Sequence, residues 1–269
     1  FRGQLRSRLG RLQPRVEGGA LLWVHAVSVG EVNAAVPLVR ALRARNRDLH
    51  IAISTVTATG NRTARDKLPN VPRVIYLPYD FPWAVRRAVR ALRPQAVVVM
   101  ETELWPNFLR ALRREAIPVV LANGRISPGS YRGYRLVRGF LRGVLDDISF
   151  FAMQTEGDAD RIIALGADAR RVRVTGNVKF DGAMKCEASE AETLGRLLGL
   201  TPEDLLFIAG STHSGEDAIV MAAFANLRAR HSKMVLLVAP RHPERPERLR
   251  EIEALAAEHA LACVRRSAI

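Results

Sequence analysis

The 269-residue chain is 48% hydrophobic and 25% charged, with 41 Lys and Arg against 27 Asp and Glu and a formal net charge of +14; its pI is about 11.0. This length and apolar content exclude a disordered tail or a disulfide-stapled miniprotein and suffice for two α/β domains. The two cysteines, Cys186 and Cys263, have no Cys-x-x-Cys spacing, which argues against a disulfide framework or structural zinc and for a reducing compartment.

The basic balance points to a polyanion: nucleic acid, phosphorylated lipid or an anionic membrane surface. Solvated arginine-rich helix faces account for much of the excess. Aromatic residues are 6% of the chain and do not interleave with basic ones as in a single-strand stacking platform, so nucleic acid is not an expected partner. No apolar run reaches the length of a membrane span, and no signal peptide is present. Residues 1–18 carry Arg2, Arg6, Arg8, Arg11 and Arg15 around Leu5, Leu9 and Leu12. This segment reads either as a juxtamembrane basic stretch after a missing anchor or as a frayed basic terminus.

From Leu21 onward, strand and helix patterns alternate. Leu21 to Val27 reads as a buried strand, followed by a helix from Val32 to Arg45. His50 to Ser54 is the second strand, with a Ser/Thr/Gly loop over Thr55 to Asn61 and a helix to about Leu68. Val74 to Leu77 is the third strand, and Trp83 to Leu92 a helix. Ala96 to Met100 is a continuous apolar run, as in a parallel strand covered on both faces. A helix from Leu104 to Glu115, a strand from Ile117 to Ala122 and a helix near Tyr131 to Leu145 follow. Phe150 to Gln154 is a strand, Glu156 to Leu165 a helix capped by Gly166, and Val172 to Thr175 the last strand of this half.

This rhythm predicts a doubly wound parallel sheet over residues 19–176. Residues 177–189 break it and read as a linker. A second, partial α/β unit occupies 190–269: strands Leu205 to Ala209 and Met234 to Ala239, helices Glu216 to Arg230 and Arg245 to Glu258, and a third strand beginning over Ala260 to Val264. It is too short to close a sheet like the first, so the sequence is expected to be truncated on its C-terminal side.

Small and polar residues cluster at successive strand ends, the layout expected of an α/β active site. The first strand ends in Ser28, Gly30 and Glu31, the second in Ser54, Thr55, Thr57 and Gly60, the fourth in Glu101 and Glu103, and the fifth in Asn123, Arg125 and Ser127. Glu31 reads either as an ordinary first-turn helix carboxylate or as a site acid. Glu101 and Glu103 point the same way if extended, and a role as helix-start carboxylates is equally open. The linker supplies Asn177 and Lys179. Gly210 to Glu216 is a strand-to-helix turn rich in donors, and Ser211 and Thr212 there are candidates for a phosphate. The turn lacks Gly-x-Gly-x-x-Gly and Gly-x-x-x-x-Gly-Lys-Ser/Thr, which disfavours NAD binding and P-loop chemistry. At the next strand end, Arg241 can fork onto an anionic oxygen or lie solvated.

Eight stretches together resemble the 3-deoxy-D-manno-octulosonic acid (Kdo) transferases of lipid A biosynthesis. They are His25-Ala-Val-Ser-Val-Gly-Glu31, Thr55-x-Thr-x-Thr-Gly60, Leu77-Pro-Tyr-Asp80, Met100-Glu-Thr-Glu-Leu-Trp-Pro-Asn107, Asn123-Gly-Arg-Ile-Ser127, Gly176-Asn-Val-Lys-Phe-Asp181, Gly210-Ser-Thr-His-Ser-Gly-Glu216 and Pro240-Arg-His-Pro-Glu-Arg245. The resemblance runs from about Arg8 to the end. It implies a GT-B fold, with two Rossmann-like domains facing a cleft: an acceptor-binding domain over 19–176 and a partial nucleotide-sugar-binding domain over 190–269. It implies an inverting enzyme on the cytoplasmic face of the inner membrane, moving Kdo from CMP-Kdo to a lipid A precursor. In this likeness Glu31 is the general base, Glu101 and Lys179 stabilise the transition state, and Pro240 and Arg241 belong to the CMP site. No cofactor is implied, and without acidic metal-binding motifs no divalent cation is expected. The expected partners are CMP-Kdo, the lipid A precursor and an anionic inner-membrane surface. The family's N-terminal anchor and later nucleotide-binding half have no counterpart here, so weak CMP binding and slow or absent turnover are expected of these residues alone. Two other readings stay open: a GT-B enzyme with a UDP-sugar donor, transferase or epimerase, and a basic nucleic-acid-binding module.

Overall fold

The computed structural model describes residues 2–14, 19–181 and 188–268. Cys186 and the part of the basic segment holding Arg15 lie outside them. Two compact units divide between Met184 and Lys185, within the expected 177–189 linker.

The first unit runs α1 (Arg2–Arg8), β1 (Leu21–His25), α2 (Val29–Arg45), β2 (His50–Thr55), α3 (Ala58–Lys67), β3 (Arg73–Tyr76), α4 (Pro82–Leu92), β4 (Ala96–Met100), α5 (Pro106–Arg114), β5 (Val119–Gly124), α6 (Pro128–Leu136), α7 (Arg138–Leu145), β6 (Phe150–Met153), α8 (Glu156–Leu165) and β7 (Val172–Val174). Its seven strands are parallel, in the order β3-β2-β1-β4-β5-β6-β7. Strand order reverses between β1 and β4, and a sheet of this kind binds its ligands in the crevice beyond the strand ends at that switch point.

The strands form because their side chains are apolar on both faces, and the period of two sends neighbours to opposite layers. Trp23, Val97 and Val99 join Val85, Phe108 and Leu121 in one buried cluster. Val24, Val98 and Met100 join Val32, Ile51 and Ile53 in the other. The sheet is thus a wall with no solvated face at its centre.

Several expectations shift. The helix after β1 starts at Val29, not Val32, with Ser28 as its N-cap, so Glu31 is the third helical residue. Expected as one helix from Leu104, α5 starts at Pro106. Asp80 caps it from another loop, its carboxylate accepting from the Asn107 and Phe108 amides at 3.0 and 2.8 Å. The helix expected near Tyr131 to Leu145 is two helices. At Val137 φ is −113° and ψ 23°, outside helical values, in a glycine-rich stretch of low helix propensity. Over residues 2–14 the N-terminal segment is docked rather than frayed: Ser7 and the β3 backbone at Tyr76 exchange hydrogen bonds of 2.8 and 3.1 Å. Arg8 donates to the Val56 carbonyl and lies over the Tyr76 and Tyr79 rings.

The second unit contains α9 (Ala188–Leu197), β8 (Leu205–Thr212), α10 (Glu216–Arg228), β9 (Met234–Pro240) and α11 (Pro246–Glu258). β8 and β9 pair in parallel, and Met221, Ile252 and Ala256 form a small core under them. The third strand expected over Ala260 to Val264 does not form. Leu261 packs on the small core instead. Two bonds from Arg265 to Glu253, at 2.5 and 2.8 Å, tie the segment to α11 rather than to a strand edge.

Candidate functional site

The crevice end of the first unit is built from the ends of β1, β4 and β5. Ser28 and Glu31 occupy the N-cap and third helical positions, the spacing of a capping box, in which the serine normally caps the helix amide. Here Ser28 makes no such cap. Its hydroxyl donates to Glu31 Oε1 at 2.9 Å, and the Val27 amide donates to Oε2 at 2.8 Å. The carboxyl is therefore turned back over the end of β1, and the residue is only 6% exposed.

Burial pushes the Glu31 pKa up to about 7 from an ordinary 4.5; the Val27 and Ser28 hydrogen bonds pull it down, and repulsion from Glu103 and then Glu101 pushes it up again. Desolvation and like charge thus outweigh both hydrogen bonding and the helix start, which favour the charged form. Because folding raises this pKa, Glu31 favours the folded state while protonated, and that contribution is lost as pH rises from the ordinary value through 7. A carboxyl NMR titration is expected to place the Glu31 midpoint near 7, and Glu103→Gln to lower it by removing the larger repulsion. A midpoint in the ordinary carboxylate range in the parent would refute this balance.

β4 ends abruptly. Glu101 has φ of 56°, a left-handed conformation costing a side-chain-bearing residue roughly 1–2 kcal/mol, while its amide still reaches the Ala122 carbonyl at 2.8 Å. This turn separates the two carboxylates that an extended chain would align. Glu101 Oε1 accepts from Lys179 Nζ at 3.0 Å, and Glu103 Oε2 accepts from the Trp105 indole at 3.2 Å. Burial raises the Glu103 pKa, against the Trp105 bond and with added repulsion from Glu101. Neither acid lies inside α5.

Lys179 arrives from far along the chain by way of Asn123. Asn123 is buried, again left-handed with φ of 57°, and its side-chain oxygen accepts from the Val178 amide at 3.1 Å. Its side-chain nitrogen is buried without a partner among the described residues. Asn177 then accepts from the Lys179 amide at 3.0 Å, and Val178 packs on the core. Strain held at adjacent strand ends by surrounding structure is a recurring mark of functional sites. Asn123 appears in the sequence as one polar strand-end residue among many; nothing in its spacing signals the anchoring.

His25 opens the first motif but is fully buried, and burial pushes its pKa down to about 4. It is neutral at pH 7, with Nδ1 2.9 Å from the Ser54 hydroxyl. That hydroxyl also accepts from the Trp23 indole at 2.8 Å. Among the described residues no group of three His, Cys, Asp or Glu side chains could hold a metal ion.

In the second unit the β8 and β9 ends bring Ser211, Thr212, Pro240 and Arg241 together. Ser211 is left-handed, with φ of 60°, and a register shift separates Gly210 from Thr212. The Arg241 amide donates to the Thr212 carbonyl at 3.0 Å. Ser211 and the Arg241 side chain are exposed and Pro240 is half-buried. The Thr212 hydroxyl is buried and unpartnered among the described residues, so it is not offered to solvent. The His213 amide is already taken by the Glu216 carboxylate at 2.7 Å. Beneath these loops Arg248 joins buried Asp217 to the Thr212 carbonyl, a brace that the sequence pattern did not signal.

The family model of 3-deoxy-D-manno-octulosonic-acid transferase (kdotransferase) matches residues 3–182. The chain is 36% identical over 225 residues to a 3-deoxy-D-manno-octulosonic acid transferase of Haemophilus influenzae, covering 83% of this chain and 52% of that protein. It is 35% identical over 273 residues to the one of Bordetella pertussis, covering 97% and 61%. Thus it spans about half the length of the curated relatives it matches. Among solved structures, the UDP-GlcNAc 2-epimerase of Neisseria meningitidis bound to UDP-GlcNAc matches with TM-score 0.63 at 13% identity, over 89% of this chain and 69% of that one. At that identity the likeness shows the fold alone: α/β units of GT-B type.

Proposed function

The chain belongs to the 3-deoxy-D-manno-octulosonic acid transferase family, and on that premise we propose that its protein is an inverting glycosyltransferase moving Kdo from CMP-Kdo to a hydroxyl of a lipid A precursor. The observation that carries this reading is Glu31: a buried carboxyl at the sheet's switch point, poised near pH 7. Catalytic bases work best with a pKa near the operating pH.

In this proposal Glu31 takes the proton from the acceptor hydroxyl as its oxygen attacks the anomeric carbon. The bond from that carbon to the CMP phosphate breaks, and the electron pair leaves with CMP. Lys179, fixed by Glu101, stabilises charge developing beside the reacting centre. Arg241 and Ser211 are placed at strand ends where a cytidylate phosphate can be held, with Pro240 shaping the loop. The site on the cell map is the cytoplasmic face of the inner membrane. No helix among the described residues is long and apolar enough to cross a membrane.

The donor is the testable choice. In the full-length protein, CMP is expected to raise the melting temperature where UDP does not, and label from CMP-Kdo to appear in the glycolipid. Stabilisation by UDP alone, with label passing from a UDP-sugar, would replace this reading with a UDP-sugar enzyme.

A further inference from the structure

The stretch Thr55-x-Thr-x-Thr-Gly60 takes no part in the proposed chemistry, and its polar groups turn inward. Asn61 Nδ2 donates to the Thr55 hydroxyl and to the Ile75 carbonyl, both at 3.2 Å. Thr57 is the N-cap of α3. Its hydroxyl accepts from the Gly60 amide at 3.0 Å and donates to the Val27 carbonyl at 3.3 Å. The Val56 and Thr57 amides donate to the same carbonyl, at 3.1 and 3.2 Å. Donors from a single turn thus converge on the Val27 oxygen. Gly60 lies inside α3 without a left-handed φ, where alanine is the better helix former. Glycine is there for room. A Cβ would lie 2.8 Å from the Thr57 hydroxyl, 3.2 Å from the Ser28 carbonyl carbon and 3.3 Å from the Val27 oxygen.

We propose that Thr57 and Gly60 are positioning residues for the transfer, gripping Val27 and Ser28 so that the Glu31 carboxyl stays turned over the end of β1. The gripped residues are the two that hold the base: the Val27 amide donates to Oε2 and the Ser28 hydroxyl to Oε1. Val27 is therefore fixed on both sides, its carbonyl by the turn after β2 and its amide by the carboxyl. The turn is also held from outside, where the Arg8 guanidinium of α1 donates to the Val56 carbonyl at 2.6 Å. A methyl at position 60 is thus relieved by movement of Val27 and Ser28, which draws both donors off Glu31. A misplacement of about 1 Å at a reacting group can cost about a hundredfold in rate. The clamp's role in catalysis rests on the proposed function; the clamp itself does not.

In the 269-residue chain, the NMR signal of the Val27 amide is expected to follow the Glu31 titration through their hydrogen bond. Gly60→Ala and Thr57→Val should shrink that pH-dependent shift, and Thr57→Ser, which keeps the hydroxyl, should restore it. In the full-length protein, kcat for transfer should fall about ten- to a hundredfold with Gly60→Ala and about tenfold with Thr57→Val. KM for CMP-Kdo should not change, and Thr57→Ser should stay close to the parent. Arg62→Gln, an exposed change on the same helix, should leave both readouts as they are. A role in folding alone predicts lower melting temperatures with parental kcat and an unmoved Val27 signal, and that outcome overturns the proposal. So do a parent Val27 amide that ignores Glu31, Thr57→Ser as slow as Thr57→Val, or a loss confined to KM. Should Gly60→Ala fail to fold, the two Thr57 variants decide alone. Normal transfer by Glu31→Gln, with the Val27 signal still answering to the clamp variants, would refute Glu31 as the base and leave the clamp in place.

Discussion

Glu31→Gln in the full-length protein is expected to lower Kdo transfer by about 10²–10⁴-fold, the range a positioned general base supplies, while CMP-Kdo still protects against thermal unfolding. The substitution is nearly isosteric. The glutamine oxygen can still accept from the Val27 amide, and its nitrogen can donate to the Ser28 hydroxyl, which in the parent donates to Glu31. What is lost is the ability to take up a proton. Stability should not fall with activity. Above pH 7 the parent carries a buried charge in a crevice that also holds Glu103 and Glu101, and the neutral amide removes that cost. A variant as stable as the parent yet without transfer therefore separates chemistry from folding. The same carboxyl sets the expected pH profile: transfer falls below about pH 7 as Glu31 takes up its proton. Normal transfer by Glu31→Gln would remove the base from the mechanism.

Much of this site was legible because local rules dictate it. The run Ala96 to Met100 could only be a covered strand, and the structure gives it those bounds. Glu31 follows a buried strand and lies at the start of the next helix, which places it at a crevice whatever its role. What was not legible is what the backbone does where strands end. Alternation aligned Glu101 with Glu103, but the left-handed turn at Glu101 sends one to Lys179 and the other to Trp105. No spacing rule predicts a pair separated by 78 positions; Lys179 stands in the sequence as one polar linker residue, its role comes only through resemblance, and Asn123 as its anchor only through coordinates. The donor-rich turn after β8 is open to phosphate by its sequence, yet Glu216 occupies its His213 amide and the Thr212 hydroxyl is buried. Short polar motifs satisfy themselves as readily as they bind ligands. The same lesson holds at the N terminus, where a basic segment became a docked helix because Ser7 found the β3 backbone.

Trp23→Ala is expected to destabilise the first unit by roughly 3–5 kcal/mol, lowering its melting temperature by about 6–20 °C for a unit of this size. Trp23 is fully buried, its ring lies 4.9 Å from Phe108 in an edge-to-face pair, and its indole N–H is bonded to Ser54. Truncation leaves a cavity at the centre of β1, between β2 and β4, where the paired strands cannot close without losing register. Trp23→Phe separates the contributions. It keeps an aromatic ring against Phe108 but removes the donor to Ser54, and should cost about 1 kcal/mol for that bond plus a smaller packing defect. The effect extends to the site. Ser54 holds His25 at Nδ1, the next two residues lead to Val27, and the Val27 amide holds Glu31. Melting followed by near-UV dichroism should therefore show Trp23→Ala losing stability, and the Glu31 titration midpoint should drop toward the ordinary carboxylate range as water reaches the loosened crevice. If Trp23→Ala melts as the parent does, the strand leading to Glu31 is not held by this core, and the burial that raises the Glu31 pKa needs another source.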